Sequence, residues 1–281
     1  VKKGARRLLP DHAERDAAGV GRAIYAYDGA FQNMAAVASA YAARRIVAIM
    51  RTIMQVRSVV DIGCARATWL REWQAQCVKD VTGVDGAYVD CTRLEIEPCR
   101  FVATDLSHPF SLGRTFDLAQ CLEVAEHLRP ERAKSFVADL VALAPAVLFS
   151  AATPGQGGEN HLNERPGRYW QSLFRAHGYV AVDCLRPILA RDKKIPIWYR
   201  LNLVLYVHED RLDLLTPSIR FFKVGANEVV ADLAPPLYRV RQLAISLLPI
   251  SICNRLARWN ARRYPPAQHS PDGALSDGSG A

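Results

Sequence analysis

Neither of the glycine fingerprints that cradle phosphates occurs in this 281-residue chain. Without G-x-G-x-x-G, a turn built around the pyrophosphate of a dinucleotide is not expected. Without G-x-x-x-x-G-K-S/T, neither is a P-loop. Cysteine is scattered rather than grouped: Cys64, Cys77, Cys91, Cys99, Cys121, Cys184 and Cys253 form no C-x-x-C and no His/Cys metal spacing. An odd, dispersed set fits reduced thiols and a cytoplasmic location better than a disulfide framework. No apolar run reaches the roughly 18 residues of a membrane span. The first residues, with Lys2, Lys3, Arg6 and Arg7, are charged and carry no apolar h-region, so no signal peptide is expected. There is no internal repeat.

Acidic charge is scarce toward the C-terminus. Lys and Arg exceed Asp and Glu by 8 overall, and residues 211–263 hold nine basic and three acidic side chains. The rest of the chain is only mildly basic. That argues against a face that tracks a nucleic-acid backbone along the whole domain. Half the residues are hydrophobic, enough for one α/β domain with extensions.

The informative stretch is residues 59–85, VVDIGCARATWLREWQAQCVKDVTGVD. A β-branched apolar run ends in a glycine turn at Gly63. A helical pattern follows, with Trp69, Leu70 and Trp73 on one face, and a second strand closes on Asp85. The period switches from buried strand to helix and back, as a βαβ unit requires. In parallel sheets, ligands bind at the carboxyl ends of the strands. Gly63 lets backbone approach a ligand closely. Asp85, 24 residues after Asp61, is placed to accept hydrogen bonds from ribose hydroxyls. A turn with one glycine suits a nucleoside with an amino-acid tail better than a pyrophosphate.

These residues resemble known motifs. VVDIGCARATWL is similar to motif I of the class I S-adenosylmethionine (SAM) dependent methyltransferases, usually D-x-G-C-G-x-G-x-W, and GVD resembles their acidic second motif. The likeness continues in ATDLSHPF, FDLAQCLEVAEHL, VLFSAATPGQGGENHLNE and YWQSLFRAHGY, over roughly residues 25–207. The subgroup it resembles is bacterial and often associated with polysaccharide or natural-product genes. Ala65 and Ala67 stand where glycines are usual. The resemblance implies SAM as cofactor, held by Asp61, Gly63, Ala65, Asp85, Asp105, Leu106 and Leu122. At Asp105 two roles are open: an approach to the adenine amino group, or a turn cap. Tyr25 and Tyr27 either flank the cofactor pocket or simply pack on the sheet.

Strands are expected at 58–62, 81–85, 101–103, 116–121, 146–151, 180–184 and 201–207. Helices are expected at 32–54, 132–143, from Pro166 toward a Gly178 cap, and at 237–263 with a break at Pro249. Strands alternating with helices predict an α/β, doubly wound, seven-stranded, mostly parallel sheet of Rossmann-like kind. The resemblance adds an antiparallel last strand between the fifth and sixth. The organisation read from composition is a loose basic arm (1–24), a catalytic domain (25–208), a basic helical extension (209–264) and a disordered Pro/Gly/Ser/Asp-rich tail (265–281).

Methyl transfer to a hydroxyl needs alignment and a base. N/D-P-P-Y/F, typical of enzymes acting on exocyclic or amide nitrogens, is absent after the fourth strand, and no cysteine pair suggests a covalent base-methylating route. Oxygen in a small molecule or glycan is the expected acceptor. His161 is the candidate base, with Glu123 and His127 beside it. Trp170, Trp198, Tyr199 and Arg200 either stack on such an acceptor or anchor core and surface. E-V-x-E-H-L also resembles RNA 2′-O-methyltransferases, in which two acids and two histidines hold a divalent metal. That likeness implies the alternative set Glu123, Glu126, His127 and His161 around Mg²⁺. Otherwise Glu126 pairs with Arg129 or Arg132. A nicotinamide-dependent Rossmann enzyme is the rival class, disfavoured by the missing fingerprint. Residues 237–263 either lie on an anionic membrane at the inner face, pack on the domain, or form a homodimer contact.

Overall fold

Ser58–Ile62 forms the first strand, β1, of a sheet described by a computed structural model covering residues 25–264. The arm expected at 1–24 and the tail expected at 265–281 lie outside the described residues. The later strands are β2 (Asp80–Asp85), β3 (Phe101–Ala103), β4 (Leu118–Leu122), β5 (Ala146–Ser150), β6 (Tyr179–Val182) and β7 (Val204–His208). Their order is β3-β2-β1-β4-β5-β7-β6. β7 runs antiparallel between β5 and β6, and the other pairs are parallel. This is the expected doubly wound, seven-stranded architecture, with the reversed strand where it was expected.

The central strands are apolar on both sides because helices coat both faces. Alternate residues serve opposite layers. Val59 and Leu148 join α1 (Gly29–Ile53) and α2 (Thr68–Ala75) through Ile46, Met50, Leu70 and Trp73. Val60 and Phe149 join α3 (Ala133–Leu143) and α4 (Gly167–Arg175) through Phe136, Leu140, Trp170 and Phe174. Asp28 starts α1 by accepting from the Phe31 N–H at 2.9 Å, a side-chain cap of the ordinary kind.

Several element ends shift by one to three residues from the sequence reading, and two differences have a clear cause. β4 begins at Leu118, not 116, because Asp117 is spent on the sheet's lower edge. Its carboxylate accepts from the Arg57 and Ser58 N–H groups, and its own N–H donates to the Ser58 hydroxyl. The run 201–207 is not one strand. Leu201 and Asn202 end a short helix, α6 (Ile197–Asn202), which follows another, α5 (Leu185–Leu189). Pro187 and Pro196 obscured both helices in the sequence. The C-terminal stretch forms α7 (Pro236–Ser246) and α8 (Ile250–Ala261), broken at Pro249 as expected. Among the described residues, no helix is long and apolar enough to cross a membrane.

Candidate active site

The strand ends open into one cavity of about 1430 Å³, bounded by the turns after β1, β2, β3, β4 and β5 and roofed by α7 and α8. The turn after β1 is pinned to β2: the Gly63 and Cys64 N–H groups both donate to the Val84 carbonyl, at 2.7 and 3.2 Å. Gly63 sits at φ +79°, and a Cβ there would lie 2.3 Å from Val124 Cγ2. Only glycine fits. Ala65 (φ +46°) and Ala67 (φ +63°) keep the same left-handed backbone without being glycine. The turn therefore retains the geometry of the glycine motif and carries a strain of about 1–2 kcal/mol per alanine.

Asp85 ends β2, 5% exposed. Its carboxylate accepts from the Ala65 N–H (2.7 Å), the Gly86 N–H (2.7 Å) and the Tyr88 hydroxyl (2.6 Å). Burial raises its pKa, and these bonds hold the shift back. Of about four lone-pair positions on a carboxylate, three are in use. Beneath the turn lies a small adjoining pocket lined by Asp61, Gly63, Ala65, Arg66 and Thr68. Burial, with the Asp85 charge adding to it, pushes Asp61 up to about 7. Arg66 is 2% exposed, and its Nη2 is buried without a hydrogen-bond partner. Leu106 and Leu122 line the main cavity, as does Asp105. Asp105 also caps its own turn, accepting from the N–H and hydroxyl of Ser107 and contacting His108. Burial acts to raise Asp105, but those bonds outweigh it and hold the carboxyl low.

The β4–β5 side is built differently. Glu123 follows β4 in the left-handed region (φ +56°), a conformation that marks strained functional turns. Its carboxylate accepts from Gln156 Nε2 at 2.6 Å and Asn202 Nδ2 at 3.4 Å. Glu126 is fully buried, and neither carboxylate oxygen has a hydrogen-bond partner. Burial, then the Glu123 charge, raises it well above the ordinary range. The expected partners do not serve it. Arg132 instead binds Asp139 and the carbonyls of Leu106 and His108. His127 is kept neutral: burial, reinforced by His161, lowers it to about 3.

His161 lies in the loop after β5, and its ring meets that of His127 edge-on at 4.8 Å. Its Nδ1 is 2.8 Å from Glu164 Oε1. Glu164 also accepts from the Gly155 and Gly157 N–H groups. Burial alone would raise Glu164; the His161 bond and these N–H groups more than offset it. In the neutral tautomer with Nδ1–H directed at the carboxylate, Nε2 would carry the lone pair. One potential ligand atom each from Glu126, His127 and His161 lies within 4.8 Å of the others. Glu123 is not in that group, because Gln156 and Asn202 hold it elsewhere. The four-residue metal set is thus reduced to three.

The C-terminal helices complete the walls. A Cβ at Gly155 (φ +76°) would lie 2.1 Å from the Gln242 carbonyl oxygen, so α7 rests directly on this loop. Gln242 donates to Thr153 Oγ1 and Arg241 to the Gln156 carbonyl. Arg258 of α8 binds buried Glu159 at 2.9 Å, and Tyr25 donates to the same carboxylate. Tyr27 packs edge-on against His127 at 5.2 Å. Tyr25 and Tyr27 therefore belong to the cavity wall. Trp198 and Tyr199 line it too, whereas Trp170 is core.

No family model matches the chain, and no curated protein matches it in sequence. Among solved structures, it resembles an O-methyltransferase family protein from Burkholderia thailandensis at TM-score 0.47 and 14% identity. That alignment covers 63% of this chain and 58% of the other, so this chain spans under two thirds of that protein's length. DesVI from Streptomyces venezuelae aligns at TM-score 0.49 and 14% identity, covering 65% and 99%. The sugar N-methyltransferase KedS8 from a Streptoalloteichus species aligns at 0.49 and 15%, covering 70% and 99%. Similarity at this level leaves activity to be read from the chain's own residues.

The candidate cofactor, base and metal residues all line this cavity or the small adjoining pocket, whereas Trp170 and Arg200 line neither: Trp170 is core and Arg200 binds the Ile195 and Ala190 carbonyls. The sequence reading missed Arg66, Tyr88, Gln156, Glu164 and Asn202. Glu164 had a signal in the H-x-x-E spacing after His161. Gln156 and Asn202 had none, being brought to Glu123 from the loop after β5 and from the end of α6.

Proposed function

We propose that this chain is a SAM-dependent methyltransferase acting on a hydroxyl of a small acceptor, with a saccharide as the favoured class. The observation that carries the proposal is a single cavity lined by Gly63, Asp85 and His161, with Glu164 held to His161 Nδ1 at 2.8 Å. The residues fit the cofactor. Asp85 retains a lone pair for a ribose hydroxyl. The buried, unpartnered Nη2 of Arg66 suits a carboxylate on an amino-acid tail. Gly63 lets the turn close against the Val124 side chain, which fills the space a Cβ would need.

The cofactor supplies a methyl group already activated by its sulfonium charge. The protein's part is alignment, exclusion of water and removal of the acceptor's proton. His161 Nε2 takes that proton, and Glu164 stabilises the imidazolium through Nδ1. His127, held neutral, adds no competing charge. Calorimetry is the direct test: SAM and S-adenosylhomocysteine should bind, and NAD should not. NAD binding without SAM binding would favour the dehydrogenase class instead.

A second reading is favoured by one observation, the unpartnered carboxylate of Glu126. A buried carboxyl without partners is either protonated or faces a cation. Glu126, His127 and His161 fit a divalent ion, and two imidazoles suit Mn²⁺ or Zn²⁺ better than Mg²⁺. The metal would lower the pKa of an acceptor hydroxyl. His161 would then be a ligand, not a base. Under this reading chelation abolishes turnover and Mn²⁺ restores it; under the first, chelator has no effect.

The organisation we propose keeps the sheet domain at 25–208 and the extension at 209–264, with the extension serving as the site's roof. We assign the protein to the cytoplasm, with α7 and α8 as a peripheral contact for an anionic membrane surface. A homodimer through the same helices is the competing arrangement.

A further inference from the structure

The helices that roof the cavity, with the turn joining them, also carry more than half of the large apolar side chains exposed among the described residues. Of the sixteen large apolar side chains exposed among the described residues, nine lie between Leu237 and Trp259. Leu237 is 86% exposed, Leu247 77%, and Val240 and Leu243 65% each. α7 buries none of its residues. Monomeric proteins seldom leave so continuous an apolar face in water.

Charge selects what covers it. Residues 237–263 contain six arginines and no acidic residue. Arg239 and Arg258 pair with Asp232 and Glu159 of the same chain, but across a two-fold axis the exposed Arg255, Arg262 and Arg263 would meet the same arginines, with no acidic residue in these helices to pair them. An anionic bilayer offers apolar depth and opposite charge together.

The outer face is continuous with the cavity. Leu256 and Trp259 are 48% and 58% exposed and also line it. Arg263 stacks on the Trp259 ring at 3.8 Å. Tryptophan and arginine at such a position suit the level of lipid headgroups. The cavity, about 1430 Å³, exceeds the roughly 300–1,000 Å³ of ordinary ligand pockets, leaving room for a small headgroup beside a cofactor.

We propose that the acceptor is lipid-borne: a hydroxylated headgroup enters past Leu256 and Trp259 while its acyl or isoprenoid chain stays in an anionic bilayer held against α7 and α8. This deepens the methyltransferase reading and rests on it.

The test uses the full-length chain and a Leu243→Asp/Leu247→Asp variant, which alters the outer face and no cavity-lining residue. Three measurements are made: SAM affinity by calorimetry, sedimentation with phosphatidylglycerol/phosphatidylcholine vesicles, and transfer of labelled methyl from SAM. Transfer is offered membrane lipids of the source cells in those vesicles or, separately, their water-soluble metabolites. The wild type should sediment with vesicles at low salt and label material that partitions into chloroform–methanol. The variant should keep wild-type SAM affinity and lose vesicle binding and lipid labelling by about tenfold or more. Label confined to the water-soluble fraction, equal in both proteins, would overturn the lipid-borne acceptor while leaving the methyltransferase intact. So would a dimer that dissociates in the variant, with no vesicle binding by the wild type. Failure of the wild type to bind SAM would overturn the underlying reading and this one with it.

Discussion

Two carboxylates of the cavity, Asp85 and Glu126, are held in opposite ways, although Glu123 and Glu164 on the Glu126 side are hydrogen-bonded. At the β1–β2 end, Asp85 is bound by two backbone N–H groups and a tyrosine hydroxyl. At the β4–β5 end, Glu126 is buried with no hydrogen-bond partner at all. The first arrangement is preorganised and keeps one position for a neutral hydroxyl. The second leaves a group that stays protonated or meets a cation. At the binding end Asp85 is satisfied in advance; at the reacting end Glu126 is satisfied by what arrives.

The largest effect should come from the reacting end. His161→Ala should lower turnover by about 10²–10⁴ and leave SAM affinity nearly unchanged in calorimetry. An active His161→Ala enzyme that is also indifferent to chelator would remove both chemical roles of this end.

A pH measurement probes the floor between the two ends. Burial lifts Asp61 from its ordinary 3.8 to about 7. Its folded pKa lies above its unfolded one, so the folded chain holds this proton more tightly. The stability it contributes is complete below about pH 4 and is lost as pH rises toward 7. Relative to Asp61→Asn, which cannot ionise, the wild type should lose up to about 4 kcal/mol between pH 4 and pH 8. Urea unfolding of both proteins across that range is the check; parallel profiles would contradict the assignment.

At the binding end, Asp85→Ala should weaken SAM by about 100-fold, since it removes the ribose acceptor and leaves the Ala65 and Gly86 N–H groups unsatisfied. Wild-type affinity in that variant would show that the ribose binds elsewhere. Glu164→Gln should be milder. Its amide still meets Nδ1 but brings no charge to the imidazolium, so turnover should fall about tenfold with SAM affinity unchanged. A loss of SAM affinity instead would make Glu164 part of the binding end.

The smallest effect concerns the turn. Ala65→Gly relieves a left-handed alanine at some entropic cost to the folded state. Thermal unfolding should show it stabilised by a few tenths to about 1 kcal/mol. Destabilisation would mean that the half-buried Ala65 methyl makes contacts worth more than the strain.

Much of the binding end was legible in the linear chain because its pieces are close in sequence. Gly63 and Asp85 belong to one βαβ unit, and that unit's periodicity announces parallel strands whose carboxyl ends share a side. The doubly wound sheet followed from alternation, and the reversed last strand between the fifth and sixth from the resemblance; the full strand order came from the structure. α5 and α6 were hidden because proline punctuation and basic residues mask a period only a few residues long. The 208/209 boundary marks where the sheet ends, but α7 and α8 roof the cavity and so belong to the site.

What the sequence determined by itself was the presence of a strand–glycine–helix–strand–acid unit, since local periodicity and backbone chirality leave little choice there. Tertiary structure alone decided which polar groups end up satisfied. Whether Arg258 reaches Glu159, and whether Gln156 and Asn202 hold Glu123, depends on segments brought together from distant parts of the chain. The energy of a buried carboxylate is set by those neighbours and by the exclusion of water, and neither is encoded in the spacing of residues along the chain.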